Sequence, residues 1–285
     1  MKTPKRIQPL VDEGLVDEVI SQLMSGKEAT VYVVRCGEDI RCAKVYKEAD
    51  KRSFKQAVVY QEGRKVRNSR RARAMEKGSK FGREQMEEAW QNSEVDALFR
   101  LAHAGVRVPT PFGCFDGVLL MELVTDSEGH VAPRLNDVSL SAEQAMRDHA
   151  LVMIYVKRML CAGLVHGDLS EFNVLVDADG PVIIDLPQAV DAAANNHAKW
   201  MLERDVNNMT QYYGQYAPEL LKTQYAKEMW ALFEAGELKP DTQLTGKFTE
   251  VLVDADVNSV LDEIQAAYDE AQERKLRLQE ANEDY

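Results

Sequence analysis

The chain has 285 residues, 45% of them hydrophobic and 29% charged, with 9 Pro and 16 Gly, so it can bury a sizeable core and is neither disordered nor collagenous. No run approaches the ~20 apolar residues of a membrane span, the opening MKTPKRIQPLVDEG lacks a signal-type apolar stretch, and Cys36, Cys42, Cys114 and Cys161 form no CxxC pair. These features predict a cytoplasmic protein with reduced thiols, no membrane partner and no zinc site, and the net charge of −12 argues against a whole-surface nucleic-acid binder, with no DNA partner expected.

Taken in chain order, Leu15, Val16, Val19, Ile20 and Leu23 recur with a helical period and predict an opening helix over about Asp12 to Ser21. Two strands are expected next, one from Ala29 to Val34 and one over 40–47, joined by a turn at Gly37-Glu38-Asp39. Residues 51–83 hold 12 Lys and Arg against two acidic residues, while the remaining chain has 23 basic and 45 acidic residues, a net of −22. A solvated helix, a mobile loop or an arm for an anionic partner would each account for this stretch, and the shortage of large apolar residues over 63–83 predicts poor order there.

A helix is expected from Arg83 to Ala104, with Trp90, Val95, Leu98, Phe99 and Leu101 on its apolar side. Two strands flanking Asp116-Gly117 follow, the second over 118–124. The second half opens with a helix from Ser141 to Cys161, where Ser141 and Gln144 make a capping box. A strand over 182–185 and helices over 195–213, 217–235 and 256–280 complete the reading. A β-rich first half and an α-rich second half predict an α+β chain of two lobes with a cleft between them.

Three constellations carry chemistry. His166-Gly167-Asp168 is followed five residues later by Asn173, and Asp185 ends an apolar strand twelve residues beyond that. Phosphoryl transfer needs such a set: one carboxylate at the acceptor hydroxyl, and an amide oxygen and a second carboxylate on Mg²⁺ between the phosphates. The second is Lys44, placed mid-strand in RCAKVYK, where it matches a lysine that pairs with a helical Glu and positions phosphates. The following helix offers Glu84, Glu87, Glu88, Glu94 and Asp96, and pattern alone does not choose among them. The third is MSGKEATVY, which fails both G-x4-G-K-[ST] and G-x-G-x-x-G, although Ser25, Gly26 and Lys27 could direct N–H groups and a charge at phosphates. The APE string at 217–219 reads as Pro at a helix start.

With these motifs, together with WQNSEVDALFRLAHAGVRVPTP, LLMELV, VIIDLPQAV and HAKWMLERDVNN, the chain resembles the RIO family of atypical protein kinases, closest to its first subfamily, over about residues 12–235. The resemblance implies an α+β, bilobal protein-kinase-like fold lacking the activation segment and substrate-binding helices. It implies a helical extension over 1–24, an N-lobe over 25–124 with a flexible basic loop at 63–83, a C-lobe over 125–253 and an acidic helix over 254–285. Lys44 and Glu94 would form the ion pair, Asp168 would be the catalytic aspartate, and Asn173 and Asp185 would hold the metal. Ser25, Gly26 and Lys27 would cover the phosphates, and Met121 would precede a hinge at Glu122 and Val124 that binds adenine. The resemblance departs at Asp185-Leu186-Pro187-Gln188, whose Pro is like that of the second subfamily.

The implied activity is transfer of the ATP γ-phosphate to Ser and Thr hydroxyls, autophosphorylation included, with Mg²⁺, or Mn²⁺ in its place, as cofactor and a protein as substrate. The alternative is an ATPase switch with an acyl-phosphate on Asp185, acting with a ribosomal or other ribonucleoprotein partner. A small-molecule phosphotransferase shares the HGD-x4-N logic, but the SGKEATVY and DLPQ segments argue against it.

Overall fold

The computed structural model describes residues 1–26, 29–47 and 93–249. Lys27, the basic loop over 63–83, the first part of the helix expected from Arg83, Trp90 with it, and the helix expected near the C-terminus lie outside the described residues. Met1–Lys247 makes up one compact unit.

A short helix α1 (Gln8–Asp12) leads into strands β1 (Glu18–Ser25), β2 (Ala29–Cys36) and β3 (Asp39–Tyr46). The expected opening helix is therefore replaced by a shorter one upstream and a strand, and the sheet begins seven residues before the expected N-lobe boundary. The register of β1 on β2 skips at Ile20 and at Leu23, the pairs running Val19↔Val34, Ser21↔Val33, Gln22↔Tyr32 and Met24↔Val31. Each skip is a β-bulge that turns successive side chains to the wrong side for simple alternation. The spacing of the apolar residues then imitates a helix.

Strands β4 (Pro111–Phe115) and β5 (Val118–Glu122) complete an antiparallel sheet of order β1-β2-β3-β5-β4. Their turn is Asp116-Gly117, both with positive φ (48° and 75°), the backbone that a two-residue hairpin following strand twist requires. Alternation along β3 and β5 divides the sheet into two faces. Ala43, Val45, Val118 and Leu120 pack under Ile7, Leu10 and Val16 from the segment around α1. The opposite face contributes Tyr46 and Leu119 to the main core, where they join Leu98 and Leu101. Those two leucines belong to α2, helical over 93–103, on which Phe99 is 44% exposed rather than on the apolar side.

The remainder is mostly helical. Helix α3 (Ala142–Cys161) begins with the expected capping box, in which the Ser141 side chain accepts from Gln144 N–H and the Gln144 side chain accepts from Ser141 N–H. Gly163 follows its C-cap with φ 73° and donates its N–H to Leu160 O, ending the helix as a left-handed residue does. Four short strands come next, β6 (Leu164–Val165) pairing with β9 (Val190–Asp191) and β7 (Val174–Val176) with β8 (Pro181–Ile183). Helices α4 (Ala198–Gly214) and α5 (Tyr225–Glu234) finish the lobe. The expected helix over 217–235 is split, since Pro218–Lys222 forms a separate 3₁₀ turn with Pro218 in its first positions. Among the described residues, no helix is long and apolar enough to cross a membrane.

Candidate active site

Lys44 lies in β3, opposite Val31 of β2 and Leu119 of β5, so its side chain can only project from one face of a central strand. It projects from the face that also carries Tyr46 and meets Glu94 of α2, to which its ammonium donates. Tyr46 Oη donates to the other oxygen, Glu94 Oε2, at 2.7 Å. Glu94 is 4% exposed, whereas Asp96 on the same helix is exposed. Geometry thus selects Glu94 from the candidates among the described residues. Lys44 Nζ also lies 3.4 Å from Asp185 Oδ1. Burial opposes the ammonium charge most strongly, yet Glu94 and Asp185 outweigh it and carry the Lys44 pKa above the usual lysine value. Lys44 therefore presents a fixed positive charge.

Asp185 follows β8 with φ 66°, a left-handed conformation that Asp tolerates better than most residues. The turn aims its half-exposed carboxylate back at Lys44. Behind it, His166 Nε2 donates to Ile184 O at 3.1 Å while His166 Nδ1 accepts Asp168 N–H at 3.2 Å. That pair of bonds ties the segment bearing Asp168 to the one bearing Asp185.

Asn173, in a 3₁₀ turn at Glu171–Asn173, donates from Nδ2 to Asp168 O at 2.8 Å and lies 3.5 Å from Asp168 Oδ2. Its amide oxygen is the end left to meet a cation. Gln188 Nε2 also approaches Asp168 Oδ2, at 3.4 Å. Burial raises the Asp168 pKa, His166 and Arg204 pull it back, and the charge of Asp185 adds to the rise. A carboxylate raised in this way is a better proton acceptor than an ordinary surface aspartate.

Sequence reasoning missed the group that holds this loop. Asp205 of α4 is 1% exposed and accepts the backbone N–H of Gly167 at 2.8 Å and of Leu169 at 3.1 Å. Arg204 donates to Gly167 O, and Asn208 Nδ2 donates to Leu169 O at 3.0 Å. Both residues flanking Asp168 are thereby fixed to one helix. The sequence signal was polar residues at i, i+1 and i+4 in a helix whose buried positions, Thr210 apart, are otherwise apolar.

Ser25 ends β1 and Gly26 follows it, and both bond within their own hairpin and to Lys47. Ser25 Oγ lies 3.4 Å from Thr30 Oγ1 and accepts from Lys47 Nζ at 3.1 Å, and Lys47 also donates to Gly26 O. Lys47 is a cation at this loop that the sequence reading did not single out. Met121 pairs with Cys42 across β3 and β5, and the backbone N–H of Glu122 donates to Thr110 O at 2.8 Å. The Glu122 carboxylate is turned to Arg107 and Thr110. Val124 is 3% exposed, and its carbonyl accepts Ala132 N–H at 3.0 Å.

Among the described residues, no three or more His, Cys, Asp or Glu side chains gather as a metal cluster. The amide oxygen of Asn173 and the carboxylate of Asp185 are hard donors of the kind Mg²⁺ takes when substrate phosphates supply further oxygens. The donor set fits that ion.

Comparison with known proteins gives a consistent picture. The RIO domain family model matches residues 30–227. The RIO-type serine/threonine-protein kinase Rio1 of Haloferax volcanii is 35% identical over 208 residues, covering 73% of this chain and 67% of the relative. The human serine/threonine-protein kinase RIO1 is 31% identical over 206 residues, 72% of this chain and 34% of that one. The Dictyostelium discoideum serine/threonine-protein kinase rio1 is 28% identical over 273 residues, 94% and 43%. The match spans about two thirds of the archaeal relative and less than half of the two eukaryotic ones.

Proposed function

The chain belongs to the RIO family, and from that premise we propose that it is a Mg²⁺-dependent kinase that transfers the γ-phosphate of ATP to Ser and Thr hydroxyls, its own included. The observation that carries the reading is the convergence on Asp185: Lys44, held by Glu94, reaches it from the sheet, and His166 ties its strand to the Asp168 loop.

In this reading Lys44 contacts the α- and β-phosphates, and Glu94 with Tyr46 keeps it from swinging away. Ser25, Gly26 and Lys27 cover the phosphates. The backbone of Glu122 and Val124, after Met121, meets adenine, with Val124 offering its N–H because its carbonyl is taken. Asn173 and Asp185 would hold Mg²⁺, which when bound neutralises phosphate charge. Asp168 accepts the proton of the acceptor hydroxyl as its oxygen bonds the γ-phosphorus and the bond from that phosphorus to the β,γ-bridging oxygen breaks, releasing ADP. Asn173 and Gln188 both approach Asp168 Oδ2, so Oδ1 is the oxygen left for the hydroxyl. Positioning and charge placement supply most of the catalysis, and the hydrogen bonds that fix the Asp168 loop to Asp205 are the structural means.

The test uses full-length protein with Mg²⁺ and γ-labelled ATP, alongside Asp168→Asn. Label should appear as stable phosphoserine or phosphothreonine, and the variant should bind ATP yet transfer about 10²- to 10⁴-fold more slowly, the range for loss of a general base. Equal transfer by both proteins would overturn the role of Asp168. Label recovered mainly as hydroxylamine-labile acyl phosphate would overturn the hydroxyl as acceptor.

A further inference from the structure

A second charged cluster lies behind the hinge, away from Lys44 and Asp168. Arg107 precedes β4 and reaches two carboxylates from different lobes. Its Nη1 and Nη2 donate to Glu122 Oε2 and Oε1 at 2.8 and 2.7 Å, a bidentate pair with the last residue of β5. Its Nη2 and Nε donate to Asp177 Oδ2 at 2.8 and 3.2 Å, in the turn between β7 and β8. The main chain repeats the bridge, because Arg107 O accepts Ile183 N–H at 2.9 Å. Ile183 ends β8, two residues before Asp185.

Both carboxylates are fully engaged. Thr110 donates its N–H and its hydroxyl to Glu122 Oε2 at 2.9 and 3.0 Å. Asp177 Oδ1 accepts the N–H groups of Asp179 and Gly180 at 2.8 and 3.0 Å, closing the turn. The Asp177 side chain is 9% exposed. The Arg107 guanidinium hydrogen bonds hold the Glu122 carboxyl well below the usual carboxylate range, at about 2, so the pair stays ionised at any working pH.

We infer that Arg107 is a positioning residue for nucleotide binding, a clamp that fixes the spacing between the hinge at Glu122 and the metal-holding wall at Asp185. A ligand gripped only at its base feels the hinge alone, whereas Mg-ATP is gripped at both ends and depends on their separation. This inference rests on the kinase reading given above. Lysine cannot replace Arg107, because one ammonium cannot serve a bidentate carboxylate and a second carboxylate in the same plane. Asp177→Asn is the sharper variant. The Asn carbonyl can keep the turn bonds of Asp179 and Gly180, while its NH₂ faces the guanidinium in place of an acceptor.

The experiment titrates adenosine and Mg-ATP separately into the full chain, comparing wild type with Arg107→Lys, Asp177→Asn and the double variant, with thermal unfolding recorded for each. Each single variant should bind adenosine within about twofold of wild type and Mg-ATP about tenfold more weakly, the order expected of a small displacement at one end of a two-point grip. The double variant should lose no more than either single one, since both break one clamp. Equal loss for the two ligands, or none for either, would overturn the clamp and leave Arg107 a structural residue. Wild type that binds neither ligand would overturn the kinase reading, and the clamp with it.

Discussion

Asp205 and His149 are both buried in the helical lobe, and their protonation works in opposite directions. Burial raises the Asp205 pKa to about 6, against the pull of His166 and the Gly167 and Leu169 N–H groups. An acid whose folded pKa exceeds its unfolded value contributes stability that is full below about pH 4 and is lost as pH rises through 6. His149 is the mirror case, 1% exposed and bonded to Thr210 Oγ1 at 3.0 Å, with its pKa pushed down to about 4 by burial. Its contribution is full above about pH 6.5 and is lost as pH falls through 4. Between pH 4 and 6 the two slopes oppose each other. Urea unfolding of Asp205→Asn should therefore show stability that rises more steeply with pH than wild type, and His149→Gln should show it rising less steeply. Each change is at most ~3 kcal/mol across the window, since one pKa unit is about 1.4 kcal/mol. Changes of the same sign in both variants would refute the assignment.

At the level of the element, the caps and hairpins were written locally and the sequence showed them. The box at Ser141 and Gln144 is an example, and Ser141→Ala should cost about 1 kcal/mol in chemical denaturation, because one N–H at the start of α3 loses its acceptor. The pattern at His166, Asp168, Asn173 and Asp185 was legible for the same reason, all four falling within twenty residues. Strand β1 was not legible, because its bulges at Ile20 and Leu23 erase the alternation that marks a strand. Asp205 and Arg107 were not legible either. Asp205 acts on residues 36 and 38 positions away, and Arg107 on one 70 positions away, so nothing near them in sequence states the role. Tyr46 lay closer to reach. It stands two residues from Lys44 on the same strand face, which already placed its hydroxyl near whatever Lys44 met.

At the scale of the whole molecule, the apolar core of the described residues runs from the sheet into the helical part without a break. Tyr46, Leu98, Leu101 and Leu119 from the sheet side belong to the same buried cluster as Val152, Ile183, Met201 and Met209 of the helical side. Met1–Lys247 should unfold in one cooperative transition as read by both fluorescence and circular dichroism. Mg-ATP at a hundredfold excess over its Kd should add about 2.7 kcal/mol and raise Tm accordingly. Asp185→Asn should remove most of that rise while leaving the smaller rise given by adenosine. The Asn variant is preferable to Ala because Asn also accepts φ 66°, so that the lost charge is the only large change. A full Mg-ATP shift in Asp185→Asn would show that the carboxylate does not hold the ion.

The irregular outer strand has a consequence for the protein in a crowded solution. Among the described residues β1 forms the edge of the five-stranded sheet, and it exposes Ile20, Leu23 and Met24. A straight strand with those side chains would offer a second copy an unbroken row of backbone donors and acceptors, the usual seed of intermolecular sheet growth. Two extra residues within six break that row and twist the strand. The same irregularity that disguises β1 as a helix in the sequence thus makes it a poor template, so that an apolar edge can stay in water without recruiting its own kind.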